Sequence, residues 1–113
     1  PFEKAKTLSE ISFVLSKMET IRAIDIAEEA LKNANLVDSP SLKSTALCNV
    51  AEAFFNLHFA NRSLEILELA LDEAFKIKDG IVKNIDILLI VKFICARYVQ
   101  FDVFTKQENI EKF

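Results

Sequence analysis

Glycine and proline are almost missing from this chain: it has one Gly and two Pro in 113 residues. Sheet proteins need turn residues at frequent intervals, so the scarcity excludes a sandwich or barrel and predicts long helices. With Gly80 the only glycine, no Gly-rich loop exists to cradle a phosphate. Histidine is equally scarce. His58 stands alone and no Cys-x-x-Cys occurs, so a metal site is not expected. Cys48 and Cys95 lie inside apolar helical patterns and read as buried free thiols of a reducing compartment. No basic stripe is present: 14 Lys and Arg are interleaved with 17 Asp and Glu, for a net charge of −3 and a pI near 5.2. Nucleic acid is therefore not the expected partner. The most apolar stretch, 81–99, contains Lys83, Asp86, Lys92 and Arg97, which argues against a membrane span. The opening Pro1-Phe2-Glu3-Lys4 lacks the apolar core of a signal peptide, so a cytoplasmic location is expected. A first residue other than Met is compatible with a piece of a longer protein.

What the chain has in quantity is apolar residues, 51% of the total, enough to exclude disorder. Their spacing predicts about six helices. The first runs from Phe2 to about Lys17, with Ala5, Leu8, Ile11, Val14 and Leu15 inward. Thr20 is the expected cap of a second, from about Ile21 to Leu36, with Ile24, Ala27, Ala30, Leu31 and Ala34 inward. Ser39-Pro40 opens a third, to about Leu57, since proline suits the first helical position. Asn61 is the expected cap of a fourth, to about Ile77, and Gly80 is expected to stop it in a left-handed conformation. A fifth, Ile81 to about Tyr98, is apolar nearly all round and should be covered on more than one face. Asp102 is the expected cap of a short sixth, Val103 to about Lys112.

The helices repeat. Leu8, Ile11, Ser12 and Leu15 match Leu47, Val50, Ala51 and Phe54. Beyond the connection, Ala23, Ile24, Ala30, Leu31 and Ala34 match Ser63, Leu64, Ala70, Leu71 and Ala74, with one extra residue in the second connection. Ile87, Ile90, Val91 and Ile94 begin a third copy. The unit is a helical hairpin of about 40 residues, a period shared with HEAT and armadillo repeats. One hairpin cannot bury its own apolar face, whereas stacked hairpins share a core. The units fall at about 3–39, 40–80 and 81–113 of one domain.

The residue pattern resembles the tetratricopeptide repeat. Leu47, Val50-Ala51 and Phe54 take its Trp, Leu-Gly and Tyr slots, and Ser63, Leu67 and Ala70 take its Ala, Phe and Ala slots. Leu8, Ile11-Ser12 and Leu15, then Ala23, Ala27 and Ala30, do the same in the first unit. The final Pro slot is missing, the units exceed the usual 34 residues, and the second half of the third lacks the small-residue pattern. The resemblance implies an all-α fold of antiparallel hairpins stacked as a right-handed superhelix. It also implies a concave binding face built from the first helix of each hairpin. Carried over slot by slot, that face comprises Lys6, Ser9, Phe13, Ser16 and Lys17, then Thr45, Cys48, Glu52, Phe55 and Asn56, then Leu88, Lys92, Cys95 and Ala96. Some members clamp a C-terminal carboxylate with Lys, Asn and Asn where this chain has Ser9, Phe13 and Ser16, so that ligand is not implied.

No nucleophile–base pair is evident, and His58 reads as a polar loop residue rather than a catalyst. Glu28-Glu29 and the group Glu65, Glu68, Asp72 and Glu73 read as solvated helix faces. The expected function is thus non-enzymatic and cofactor-free: a scaffold that takes a peptide or helix of a partner protein, with Phe13 and Phe55 as aromatic anchors. Packing against neighbouring helices is the alternative for those two rings. A second expectation concerns the apolar C-terminal helices, 81–113, which lack the polar cap an array needs and could instead join copies of the chain.

Overall fold

The computed structural model describes the backbone of residues 1–15 and 20–111 and the side chains of 1–14, 21–97 and 99. The described residues form five helices and no strand: α1 (Phe2–Leu15), α2 (Thr20–Ala34), α3 (Pro40–Asn56), α4 (Ala60–Phe75) and α5 (Gly80–Glu111). α1 packs on α2 and α3 packs on α4, each pair joined by a short connection, so both are antiparallel hairpins. The second hairpin stacks on the first through α3, which touches both α1 and α2. α5 lies against α4 and α3. The Cα trace measures 52 × 30 × 16 Å.

Two expectations about the last third of the chain are corrected. Six helices become five, and the third unit is a single 32-residue helix rather than a hairpin. The chain has neither Gly nor Pro from Ile81 to Glu111, so nothing stops the helix, and Asp102 sits inside it instead of capping a new one. Gly80 does not adopt a left-handed conformation. It is the first residue of α5, and the cap is Asp79, whose Oδ1 accepts from the backbone N–H of Ile81 and of Val82, both at 3.0 Å.

The left-handed residue is His58, with φ 68°. It ends α3 in a motif with two returning hydrogen bonds. The N–H of Phe59 donates to the carbonyl of Phe54 (3.0 Å), and that of His58 to the carbonyl of Phe55 (2.9 Å). The rings of Phe54 and Phe59 meet edge to face across the turn, with centroids 6.4 Å apart. α4 then starts at Ala60, so Asn61 is already helical and not the cap expected of it. At the head of α3 the expected positions hold, with Ser39 extended at the N-cap and Pro40 following, although the Ser39 hydroxyl makes no capping bond.

The core is built from small residues on the helix contacts and a few large ones between them. Ala5, Ala23, Ala27, Ala30, Ala46, Ala51, Ala70 and Ala74 are all buried. Leu47, Phe54, Ile66 and Leu67 fill the centre. Removing the Phe54 ring would cost about 3–5 kcal/mol by the usual large-to-small scale. Where α1 meets α2, the Ser12 hydroxyl donates to the carbonyl of Ala23 at 2.7 Å. Where α3 meets α4, the Ser63 hydroxyl donates to the carbonyl of Ala51, also at 2.7 Å.

Some residues expected inward are not. Ile11 and Val14 are exposed, because among the described residues α1 packs only on α2 and α3. α5 buries Ile90, with Ile87 and Ile94 half-buried, but leaves Ile81, Ile85, Leu88 and Val99 in solvent. Within the chain, α5 is covered only on the side that faces α3 and α4 among the described residues. Cys95 is likewise exposed rather than buried, and Cys48 is half-buried.

Candidate binding cleft

The stacking order brings α1 and α3 side by side, and a cleft of about 340 Å³ opens between them. Lys6, Glu10, Phe13 and Val14 line it from α1, and Asn49, Glu52 and Asn56 from α3, with Ser9 and Ala53 among its lining. A smaller recess, about 130 Å³, follows between α3 and α5, lined by Thr45, Cys48, Asp86, Leu89 and Phe93 among others. Asn49 and Glu52 line both, so α3 is the ridge between two hollows on one face. The first lies at the lower end of the volume range of ligand pockets.

Seven of the fourteen residues carried over by slot reach these hollows. Lys6, Phe13 and Asn56 line the cleft, Thr45 and Cys48 the recess, and Glu52 both. Ser9 lines the cleft but is buried, its hydroxyl already donating to the carbonyl of Ala5 at 2.9 Å. Thr45 is similarly engaged, donating to the carbonyl of Ser41 at 3.1 Å. Ser16 and Lys17 lie outside the described residues.

Phe55 and Lys92 line neither hollow. The Arg97 guanidinium sits 4.2 Å from the centroid of the half-buried Phe55 ring, and 5.8 Å from that of Phe93. Such stacking on an aromatic face is favourable for a planar cation. Arg97 also donates to the carboxylate of Glu52 at 3.3 Å. The Phe55 ring thus packs between α3 and Arg97 of α5. Lys92 is exposed on the far side of α5 from the buried Ile90.

Asn49 was not picked out from the sequence, although the signal was there. It falls four residues after Thr45 and seven before Asn56, on the same stripe of α3. Arg97 had no such signal, because its partner Glu52 is 45 residues away in the chain.

Burial, then the nearby carboxylates of Asp86 and Glu52, push the Cys48 thiol up to about 12, so it stays neutral. Among the described residues no group of three His, Cys, Asp or Glu is placed to hold a metal ion. The acidic groups of α2 and α4 lie on the other side of the hairpins, where Glu28 and Glu65 pair with Arg62 at 3.5 and 3.6 Å. Exposed pairs of this kind contribute little.

No protein family, curated protein or solved structure matches the chain. Among the described residues no helix is long and apolar enough to cross a membrane.

Proposed function

We propose that the chain is a non-enzymatic protein-interaction scaffold that holds a peptide or helix of a partner protein in the cleft between α1 and α3. On this reading, the two hairpins and α5 are successive turns of a right-handed tetratricopeptide-like superhelix. The first helix of each unit then faces the concave side. The observation that carries the reading is the composition of the cleft. Phe13 and Val14 give it an apolar wall, while Asn49 and Asn56 bring amide groups that can both donate and accept. Lys6 and Glu10 place one charge of each sign at its edge. An extended or helical segment needs such a mixture: an anchor pocket for a large side chain, with hydrogen-bonding groups for its main chain or polar flank.

The test is selection of binders from a displayed random-peptide library against the immobilised chain. The affinity of the selected peptide is then compared between wild type and Phe13→Ala. Phe13 is 44% exposed, so its removal leaves the core intact. The expected result is a peptide of micromolar affinity that weakens tenfold or more on the variant, a loss of about 1.4 kcal/mol or greater. A library that yields no binder, or a binder indifferent to both Phe13→Ala and Asn56→Ala, would count against the cleft.

A further inference from the structure

The recess beside the cleft has two unlike ends, and the packing of α5 on α3 makes them so. Two contacts tie these helices together. Ser41 donates to the carboxylate of Asp86, and Arg97 to that of Glu52, each at 3.3 Å. In both pairs the partners are 45 residues apart, so α3 and α5 run parallel in a fixed register. The recess lies between the two ties, with Asp86 toward one end of its lining and Glu52 toward the other.

The two carboxylates differ in what answers their charge. Glu52 is paired with Arg97, whose side chain is only 13% exposed and rests on the Phe55 and Phe93 rings. The half-buried Asp86 accepts from the Ser41 hydroxyl and, among the described residues, pairs with no cation. Lys43 of α3 is engaged with Glu73 instead, at 3.4 Å. Cys48, in the α3 wall, registers the difference. After burial, the larger push on its thiol comes from Asp86 and the smaller from Glu52.

The remaining wall on the α5 side is apolar: Leu89, Ile90 and Phe93. At about 130 Å³ the recess is below the range of a whole-ligand pocket, which leaves room for one side chain. A lysine or arginine side chain is apolar along its stem and charged at its tip. Its methylenes would lie on Leu89 and the Phe93 ring, with the tip at Asp86. A purely apolar side chain there would strip water from Asp86 and return no partner, and an acidic one would be repelled. Asn49 and Glu52 line both hollows, so one short segment anchored beside Phe13 can cross α3 and reach the recess.

We propose that the recess takes a lysine or arginine side chain of the same peptide that the cleft holds, with its charged end on Asp86. This rests on the peptide-binding reading above and adds the charge of the ligand to it: an apolar anchor in the cleft beside a basic residue in the recess.

The experiment repeats the displayed-peptide selection on the wild type and on Asp86→Asn. Asparagine keeps an acceptor for Ser41, so the variant should melt as the wild type does. Peptides selected on the wild type should share a Lys or Arg at one fixed distance from their apolar residue, and Asp86→Asn should remove that preference. A wild-type peptide should bind Asp86→Asn about fivefold more weakly, the upper end for a surface ion pair. The same peptide with norleucine for its basic residue should bind both proteins equally. Asp72→Asn removes the same charge from an exposed position on α4 and should bind as the wild type does. Peptides that need Phe13 but bind Asp86→Asn unchanged overturn the subsite and leave the cleft standing. Equal weakening by Asp72→Asn also overturns it, since net charge alone would then set the affinity. A library without binders overturns the cleft and the subsite together.

Discussion

Ser12 and Ala23 join the first hairpin through a hydroxyl-to-carbonyl hydrogen bond of 2.7 Å, and the second hairpin has the same bond with the roles exchanged. Ser12 corresponds to Ala51 in the repeat, and Ala23 to Ser63. In one hairpin the serine is on the first helix, and in the other on the second. Each site needs two small residues so that the backbones approach, and one hydroxyl to bind the opposite carbonyl. It is indifferent to which helix supplies the hydroxyl.

Ser63→Ala should therefore cost about 0.5–1.5 kcal/mol, the range of a single net hydrogen bond. Adding Ala51→Ser to it should recover most of that loss, since the pair then copies the first hairpin. Ser63→Leu should cost more than Ser63→Ala, because added bulk in a packed contact forces the helices apart. Urea denaturation of the four proteins measures the series. A leucine tolerated as well as alanine would show that close approach is not required there.

His58 occupies a conformation in which glycine has no steric penalty, so His58→Gly should stabilise the chain by about 0.5–1 kcal/mol. His58→Val should destabilise it, because a β-branched residue fits that region worst. Thermal melts of the two variants give the comparison, and a lower melting temperature for glycine would contradict the turn geometry.

Asp79 and Ser39 stand at the heads of α5 and α3, but only Asp79 uses its side chain there. Asp79→Ala is expected to lose about 0.5–2 kcal/mol, the usual cost of removing a cap. Ser39→Ala should change stability by much less. Equal losses at the two positions would mean that the Ser39 hydroxyl is engaged as well.

Glu73 predicts a pH dependence. The hydrogen bond from Lys76, at 2.9 Å, holds its carboxyl below the ordinary value, with further help from Lys43 of α3 at 3.4 Å. A lowered folded pKa stabilises the fold above the unfolded value of about 4.3, and that contribution is lost as the pH falls through the folded value. Stability measured by urea between neutral pH and strongly acidic pH should therefore fall less steeply on the acid side in Glu73→Gln than in the wild type. Identical acid limbs would remove Glu73 from the linkage.

The helices and the two hairpins were legible in the sequence because they rest on local signals: the three-and-four spacing of apolar residues, Pro40 after Ser39, and small residues recurring at Ser12, Ala23, Ala51 and Ser63. The misreadings at Gly80 and Asp102 share one origin, which is that residue type does not by itself say which end of a helix it serves. Asp79-Gly80 reads equally as a stop for α4 or a start for α5, and the aspartate decides for the start. Asp102 looks like a cap, yet a single aspartate cannot end a helix that has no Gly or Pro near it. His58 gave no clear warning of a left-handed turn, because histidine is enriched several-fold in that region yet most histidines still lie at negative φ. Within the cleft, Lys6, Phe13, Glu52 and Asn56 could be placed by register along α1 and α3. The covering of Phe55 by Arg97 could not, since it depends on how α5 packs across α3.

The most direct test of the account is amide chemical-shift mapping of the chain titrated with the library-selected peptide. The account predicts that the perturbed residues concentrate on facing sides of α1 and α3, at Ser9, Phe13, Asn49, Glu52 and Asn56. Perturbations confined to the outer face of α2 and α4, around Glu28, Glu65 and Asp72, would contradict it and move the binding surface to the other side of the hairpins.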